Sequence, residues 1–210
     1  MKIVNYIKES FQECYPFDCS LVLFSQGCNL ACDLCKGYNY ETVINPENII
    51  GDAISIIKEN TNPMIDSVVF LGGEPTIWGE DLIKALKYCK NNGLKTKVFT
   101  NGMRPDIVKE ICLQKLGDAW SVDYKGIPEH IAPFIGVKAE DYKTNLYQTL
   151  ECIIKSRLPL EIRTTFFDKN IQDKDEIKSK IYSIQKKMGT NYPYFEYIEQ
   201  EDARKLIKQA

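Results

Sequence analysis

The sequence predicts an α/β fold of parallel strands with outer helices, about (β/α)6, in one domain over residues 1–210. Three observations predict it. Short apolar runs of strand type alternate about six times with stretches whose apolar residues recur at helical spacing, the pattern of a parallel sheet with crossover helices. Glycine, Asn-Gly or proline marks the junctions between them. A hydrophobic fraction of 44% and a charged fraction of 27% over 210 residues are those of an ordinary globular protein with one sizeable core.

In chain order, residues 1–19 read as a polar, irregular lead-in with a turn near Pro16. Ser20–Ser25 is an apolar run of strand type, and a cysteine-rich loop leaves its C-terminal end. Asn45-Pro46 marks a helix start, and residues 47–60 place Ile49, Ile50, Ala53, Ile54, Ile56 and Ile57 on one face. Asp66–Leu71 is a buried strand running into Gly72-Gly73-Glu74-Pro75. A helix over about 79–91 buries Leu82, Ile83, Ala85, Leu86 and Cys89, and Asn92-Gly93 closes it. Thr96–Thr100 is a third strand, followed by Asn101-Gly102, and Pro105 opens a helix to about Gln114. Ala119–Asp123 is a fourth strand. A loop carrying Pro128 and Pro133 leads to a helix over about 140–156. Leu160–Phe167 is a fifth strand, 173–187 a charged helix and Tyr194–Ile198 a sixth strand, with a helical tail from Glu199. No linker, low-complexity tract or repeat interrupts the pattern.

The formal net charge of −2 argues against broad attraction to nucleic acid or an anionic membrane, while leaving room for a local basic patch. No apolar run approaches the ~20 residues of a membrane helix. Lys8 and Glu9 break the apolar residues of the first ten, so no signal peptide is expected there. The expectation is a cytoplasmic protein with reduced thiols.

Of 8 cysteines, three fall within Cys28-Asn29-Leu30-Ala31-Cys32-Asp33-Leu34-Cys35, with gaps of three and then two. A loop of this spacing can wrap its thiolates around one metal centre. Soft thiolates select zinc, copper(I) or an iron–sulfur cluster. Structural zinc and stable four-iron clusters want four protein ligands, so three cysteines without a local fourth suggest an iron left open. A zinc site completed by His130 or a distant cysteine is the rival. Cys89, Cys112 and Cys152 lie on apolar-patterned segments and read as small buried hydrophobes. Cys14 and Cys19 are either inert, extra ligands or a redox pair.

The C-x3-C-x2-C spacing, preceded by Gln26-Gly27 and followed about 40 residues on by Gly-Gly-Glu-Pro, resembles the radical S-adenosylmethionine (SAM) superfamily. Tyr15-Pro16 and the run from Ser20 to Asn29 are most similar to the small glycyl-radical-enzyme activases, those of anaerobic ribonucleotide reductase above all. The resemblance covers residues 15–167. It implies a partial TIM-type barrel in which Cys28, Cys32 and Cys35 hold a [4Fe–4S] cluster whose fourth iron is chelated by SAM. It also implies that Gly72, Gly73 and Glu74 meet the SAM ammonium, with Glu74 as an acceptor, and that Asn101 touches SAM, although an Asn-Gly turn is equally good turn chemistry. By the same resemblance Asp123 and Lys125 contact the ribose and carboxylate, and Arg163 lies near SAM. The alternative for Arg163 is a structural salt bridge to Asp123 or Glu74, since an unpaired buried charge is costly.

Two departures stand out. Leu34 occupies the usual aromatic position before the third cysteine, and Lys36-Gly37-Tyr38 replaces the activases' usual continuation; Tyr38 or Tyr40 is the candidate substitute for the aromatic contact. The implied reaction is reductive cleavage of SAM to methionine and a 5′-deoxyadenosyl radical, which takes hydrogen from a glycine of a partner enzyme under anaerobic conditions. Reduced flavodoxin or ferredoxin is the implied electron donor. Rival readings are radical chemistry on a small molecule or peptide, such as deazapurine carboxylate synthesis, a non-catalytic iron–sulfur carrier, and a zinc-stabilised interaction domain.

Overall fold

A computed structural model describes residues 1–32, 35, 46–166, 171–189 and 194–198, the last five as backbone. Its sheet has eight strands in the order β3-β1-β2-β4-β5-β6-β7-β8. Six run parallel: β2 (Ser20–Ser25), β4 (Ser67–Gly72), β5 (Lys95–Thr100), β6 (Ala119–Asp123), β7 (Leu160–Phe166) and β8 (Tyr194–Ile198). These are the six strands that the sequence predicts. Between them lie α1 (Ala53–Asn60), α2 (Glu80–Asn91), α3 (Pro105–Leu113), α4 (Pro128–Ile135), α5 (Ala139–Ser156) and α6 (Lys174–Met188).

Side chains alternate across each strand, so every strand serves two interiors. Leu21, Leu23, Val68, Phe70, Val98, Trp120, Val122 and Ile162 pack outward with Ile57, Leu86, Ile111 and Ile153 of the helices. The opposite face carries a smaller apolar group, Val22, Val69 and Phe99, flanked by Phe24 and Leu71. By the same alternation Lys97, Glu161 and Arg163 share this inner face. The sheet order has two ends, so the barrel is partial, and its helices lie on the outside.

Three local expectations are corrected. The lead-in is not irregular: Lys2–Ser10 forms β1, antiparallel to β2 and, through Lys2 and Ile3, to the two-residue strand β3 (Gly51–Asp52). Most of β1 is exposed, so it lacks the alternation that marks a strand in sequence. The helix expected over 47–60 is shorter. Pro46–Asn48 is a single 3-10 turn, and Asp52 caps α1, accepting from Ile54 N (3.1 Å) and Ser55 N (3.2 Å). The proline loop is α4: Pro128 sits at its first turn, where a missing N–H costs nothing, and Gly136 ends it in the left-handed region. The helical tail from Glu199 lies outside the described residues, as do Leu34, Lys36-Gly37-Tyr38 and Tyr40.

The Asp52 cap gives a first testable effect. Asp52→Ala is expected to cost about 0.5–2 kcal/mol in urea unfolding. The bond from the Ser55 hydroxyl, then those from Ser55 N and Ile54 N, hold the carboxyl below its ordinary 3.8. A depressed folded pKa means stability that is fully present above 3.8 and is lost as pH falls through the folded value. The difference between wild type and Asp52→Ala should therefore shrink on acidification; a gap that stays constant into strong acid would refute the cap's share.

Candidate active site

The motifs gather along one edge of the sheet, at the C-terminal ends of β2, β4, β5 and β6. The loop after β2 is anchored on all sides before it reaches its thiols. Gln26 N donates to Lys2 O (3.2 Å) and Trp78 Nε1 donates to Gln26 O (2.9 Å). From the loop after β4, Gly73 N donates to Ser25 O (2.9 Å) and Glu74 N to Gly27 O (2.8 Å). Ala31 N donates to Ile135 O at the end of α4 (3.0 Å). Gly72 has φ +113, and a Cβ there would meet Ser25 N at 2.3 Å. Its need for glycine thus comes from the neighbouring strand's backbone.

Cys28 Sγ receives Leu30 N (3.4 Å) and Asn101 Nδ2 (3.6 Å). Cys35 N donates to Cys32 O (3.0 Å), which holds the second and third cysteines close to each other. N–H groups aimed at sulfur favour a thiolate over a thiol. Burial, with the nearby Glu74 charge, pushes the Cys28 thiol up to about 11. The Cys32 thiol is also raised, chiefly by its hydrogen bond with Cys35 and by burial. A metal that binds here therefore displaces protons. No cysteine among the described residues is in a disulfide. No three His, Cys, Asp or Glu side chains among the described residues gather tightly enough to hold a single metal ion. His130, on α4, places Nδ1 3.7 Å from Glu176 of α6.

Asn101 belongs to both readings offered by the sequence. Its turn is well made, with Oδ1 accepting from Met103 N (3.0 Å) and Thr100 Oγ1 from Gly102 N (3.1 Å). A Cβ on Gly102 would strike Leu146 of α5 at 2.7 Å. The amide end, however, points at the cysteine loop, to Asn29 Oδ1 (2.8 Å) as well as Cys28. The turn thus serves to aim Asn101.

Glu74 is wholly buried and already engaged. Oε1 accepts from Thr76 N (3.1 Å) and Thr76 Oγ1 (2.6 Å), and Oε2 accepts from Asn101 N (2.6 Å). Burial raises its carboxyl against these bonds. Its carboxylate ties the β4 loop to the β5 loop, which the sequence reading assigned to a ligand ammonium. Asp123 and Lys125 do form a unit, with Nζ 2.7 Å from Oδ2. Burial pulls the Lys125 ammonium down, but Asp123 and the thiols of Cys32 and Cys35 win and raise it. A firmly cationic lysine thus stands beside the cysteine loop. Tyr142 of α5 fixes its backbone by accepting from Lys125 N (2.8 Å), and Gln172 Nε2 donates to Lys125 O (2.8 Å).

Arg163 departs from expectation. It sits in mid-strand on the inner face and pairs with Glu13 of the β1–β2 connection (2.7 Å) and with Glu161 (3.6 Å), not with Asp123 or Glu74. Its guanidinium lies 4.8 Å from the Phe99 ring centroid. Sequence reading also missed Asn29, Trp78, Tyr142 and Gln172. Of these Asn29 lay within the motif run without being assigned a role, and Tyr142 carried a signal as the first member of the buried face Tyr142, Leu146, Thr149, Leu150, Ile153.

Three unbridged thiols lie on one anchored loop at the strand ends of a partial barrel, a soft donor set suited to an iron–sulfur cluster. Residues 22–179 match the radical SAM superfamily, and the chain belongs to it. Members use a [4Fe–4S] cluster and SAM. The donor set fits those groups: three thiols on one loop, of which Cys28 Sγ receives two N–H bonds, with the Lys125 ammonium and the Asp123 carboxylate paired alongside. The chain is 28% identical over 167 residues to a Methanocaldococcus jannaschii protein named as a glycyl-radical enzyme activating enzyme, covering 77% of this chain and 67% of that one. It is 30% identical over 144 residues to the 7-carboxy-7-deazaguanine synthase of the same organism, covering 61% and 54%. A domain of a pyruvate-formate lyase-activating enzyme from Bacteroides vulgatus superposes with TM-score 0.52 at 18% identity, covering 68% of this chain and 91% of that one. No helix among the described residues is long and apolar enough to cross a membrane.

Proposed function

We propose that this protein is an activase-like radical SAM enzyme that takes a hydrogen atom from a glycine of a partner glycyl radical enzyme, of the anaerobic ribonucleotide reductase kind. The observation that carries the reading is the anchored loop of Cys28, Cys32 and Cys35 at the mouth of a barrel left open between its two edge strands. The relative named as an activating enzyme supports the choice of partner. When bound, the cluster and SAM supply a one-electron cleavage that yields a carbon radical able to abstract hydrogen.

The chain's own residues set the geometry for that chemistry. Cys28, Cys32 and Cys35 are the three protein ligands. Gly72 and Gly73 bring the β4 backbone close to the loop, while Glu74 holds that backbone and Asn101 in register. Lys125 offers its ammonium to the SAM carboxylate, and Asp123 is the acceptor for ribose hydroxyls. The partly open inner face lets a flexible protein loop enter. A one-electron carrier protein, flavodoxin or ferredoxin, is the expected reductant, and the setting is anaerobic and cytoplasmic.

Lys125→Met should weaken SAM binding by roughly tenfold or more, since a charge-assisted hydrogen bond contributes ~1.5–3 kcal/mol. Equilibrium dialysis of reconstituted protein measures it, and Lys125→Arg should recover part of the loss. The reading as a whole is tested by anaerobic reconstitution, reduction with SAM, and assay of 5′-deoxyadenosine with a glycyl radical signal on the partner. The second reading, small-molecule chemistry, is favoured by the similarity to 7-carboxy-7-deazaguanine synthase. Deoxyadenosine that rises with a small-molecule substrate related to deazaguanine, and with no partner enzyme, would transfer the assignment to it.

A further inference from the structure

The donors around Asn101 fix which way its amide faces. Met103 N can only donate, so the atom it meets at 3.0 Å is the amide oxygen, and Nδ2 points the other way. Nδ2 carries two hydrogens. One goes to Asn29 Oδ1 (2.8 Å) and the other to Cys28 Sγ (3.6 Å). Leu30 N brings a further N–H to the same sulfur (3.4 Å).

The amide is not free to swing away. Glu74 Oε2 accepts from Asn101 N (2.6 Å) on the β4 side. On the other side Thr149 Oγ1 of α5 donates to Gly102 O (2.9 Å), and Leu146 fills the space beside Gly102. Joining the loops does not require this arrangement, because Gly73 N and Glu74 N already tie the β4 loop to Ser25 O and Gly27 O. Asn101 is 4% exposed, so its bond to sulfur lies out of water, where an oriented dipole is screened little.

An N–H aimed at a ligating sulfur draws electron density from it. The attraction grows when the centre takes on one more negative charge, so the bond favours the reduced state. Hydrogen bonds to the sulfurs are among the interactions that set the potential of an iron–sulfur centre.

We propose that Asn101 is a positioning residue that acts through Cys28: its N–H···S bond raises the reduction potential of the cluster and so eases its reduction by a protein electron donor. Glu74 stands one bond further back and holds Asn101 in place. The inference rests on the functional reading above, in particular on Cys28, Cys32 and Cys35 as the protein ligands. The step concerned adds one electron to the cluster; no bond breaks and no proton moves.

The test is an EPR-monitored redox titration of anaerobically reconstituted protein, which reads the potential without substrate or turnover. Asn101→Leu roughly keeps the side-chain volume, keeps water out and removes the donor. Its reduction equilibrium should be roughly tenfold less favourable, a potential ~59 mV lower for one electron. Asn101→Ala should shift in the same direction. Asn29→Ala removes the other acceptor but leaves the bond to sulfur, so it should not lower the potential. Iron content should stay at the wild-type level in all three. The proposal is overturned if the Asn101 variants titrate as wild type does, or if Asn29→Ala falls as far as they do, which would make loop placement the cause. It is equally overturned if neither Asn101 variant takes up iron, because the residue is then structural. A wild-type protein that assembles no four-iron cluster would instead defeat the ligand assignment, and this inference with it.

Discussion

Cys32→Ala is expected to reduce both iron retention and deoxyadenosine formation to background. With Cys32 gone, two thiols of the loop remain, one short of the set proposed to hold the cluster. No other cysteine is placed to substitute. Cys14 and Cys19 sit at the opposite, N-terminal end of β2, where Asp66 receives Cys19 N (3.1 Å). Cys89 is buried in the outer core, and Cys112 and Cys152 lie on the α3–α5 face. The same outcome is expected at Cys28 and Cys35, whereas Cys89→Ala should keep its iron. Iron and sulfide content after anaerobic reconstitution measures the effect. Full iron occupancy in Cys32→Ala would mean that a different set of ligands holds the metal, and the site assignment would fail.

The second large effect is on stability and lies inside the barrel. Lys97 and Glu161 pair at 3.0 Å with side chains 1% and 5% exposed, beside Arg163 and Glu13. Burial lowers the Lys97 pKa, against the pull of Glu161. Glu161→Ala strands that ammonium, leaving it the backbone oxygen of Glu13 (3.2 Å) as a hydrogen-bond acceptor among the described residues. A cost of about 3–5 kcal/mol is expected, because removing one partner leaves an uncompensated buried charge. Lys97→Met combined with Glu161→Leu should recover most of it, since an apolar pair of similar volume needs no compensation. Urea unfolding of the two variants decides the matter. If the double variant is as unstable as the single, packing of the inner face rather than charge is responsible.

Much of this was legible beforehand, for identifiable reasons. The parallel strands announce themselves because both faces are buried, so Ser67–Gly72 and Ala119–Asp123 read as near-continuous apolar runs. Helices α2, α3 and α5 bury one face each and show it in their spacing. Strand β1 was illegible because its exposed residues carry no pattern and its pairing with β2 alone makes it a strand. Helix α4, with Pro128 and Pro133 in eight residues, is held by its packing and by its bond to Ala31.

The amino-acid order alone gave grounds for the proposed ligand chemistry: three thiols spaced to wrap one centre, a glycine-rich turn after a buried strand, and an Asp-x-Lys at the end of a fourth strand. These follow from neighbours a few residues apart, where spacing is geometry. Only the folded chain decided what Glu74 and Arg163 are for. Both are charges inside the barrel, and a buried charge takes whichever partners the packing supplies: Thr76 and Asn101 for one, Glu13 from 150 residues away for the other.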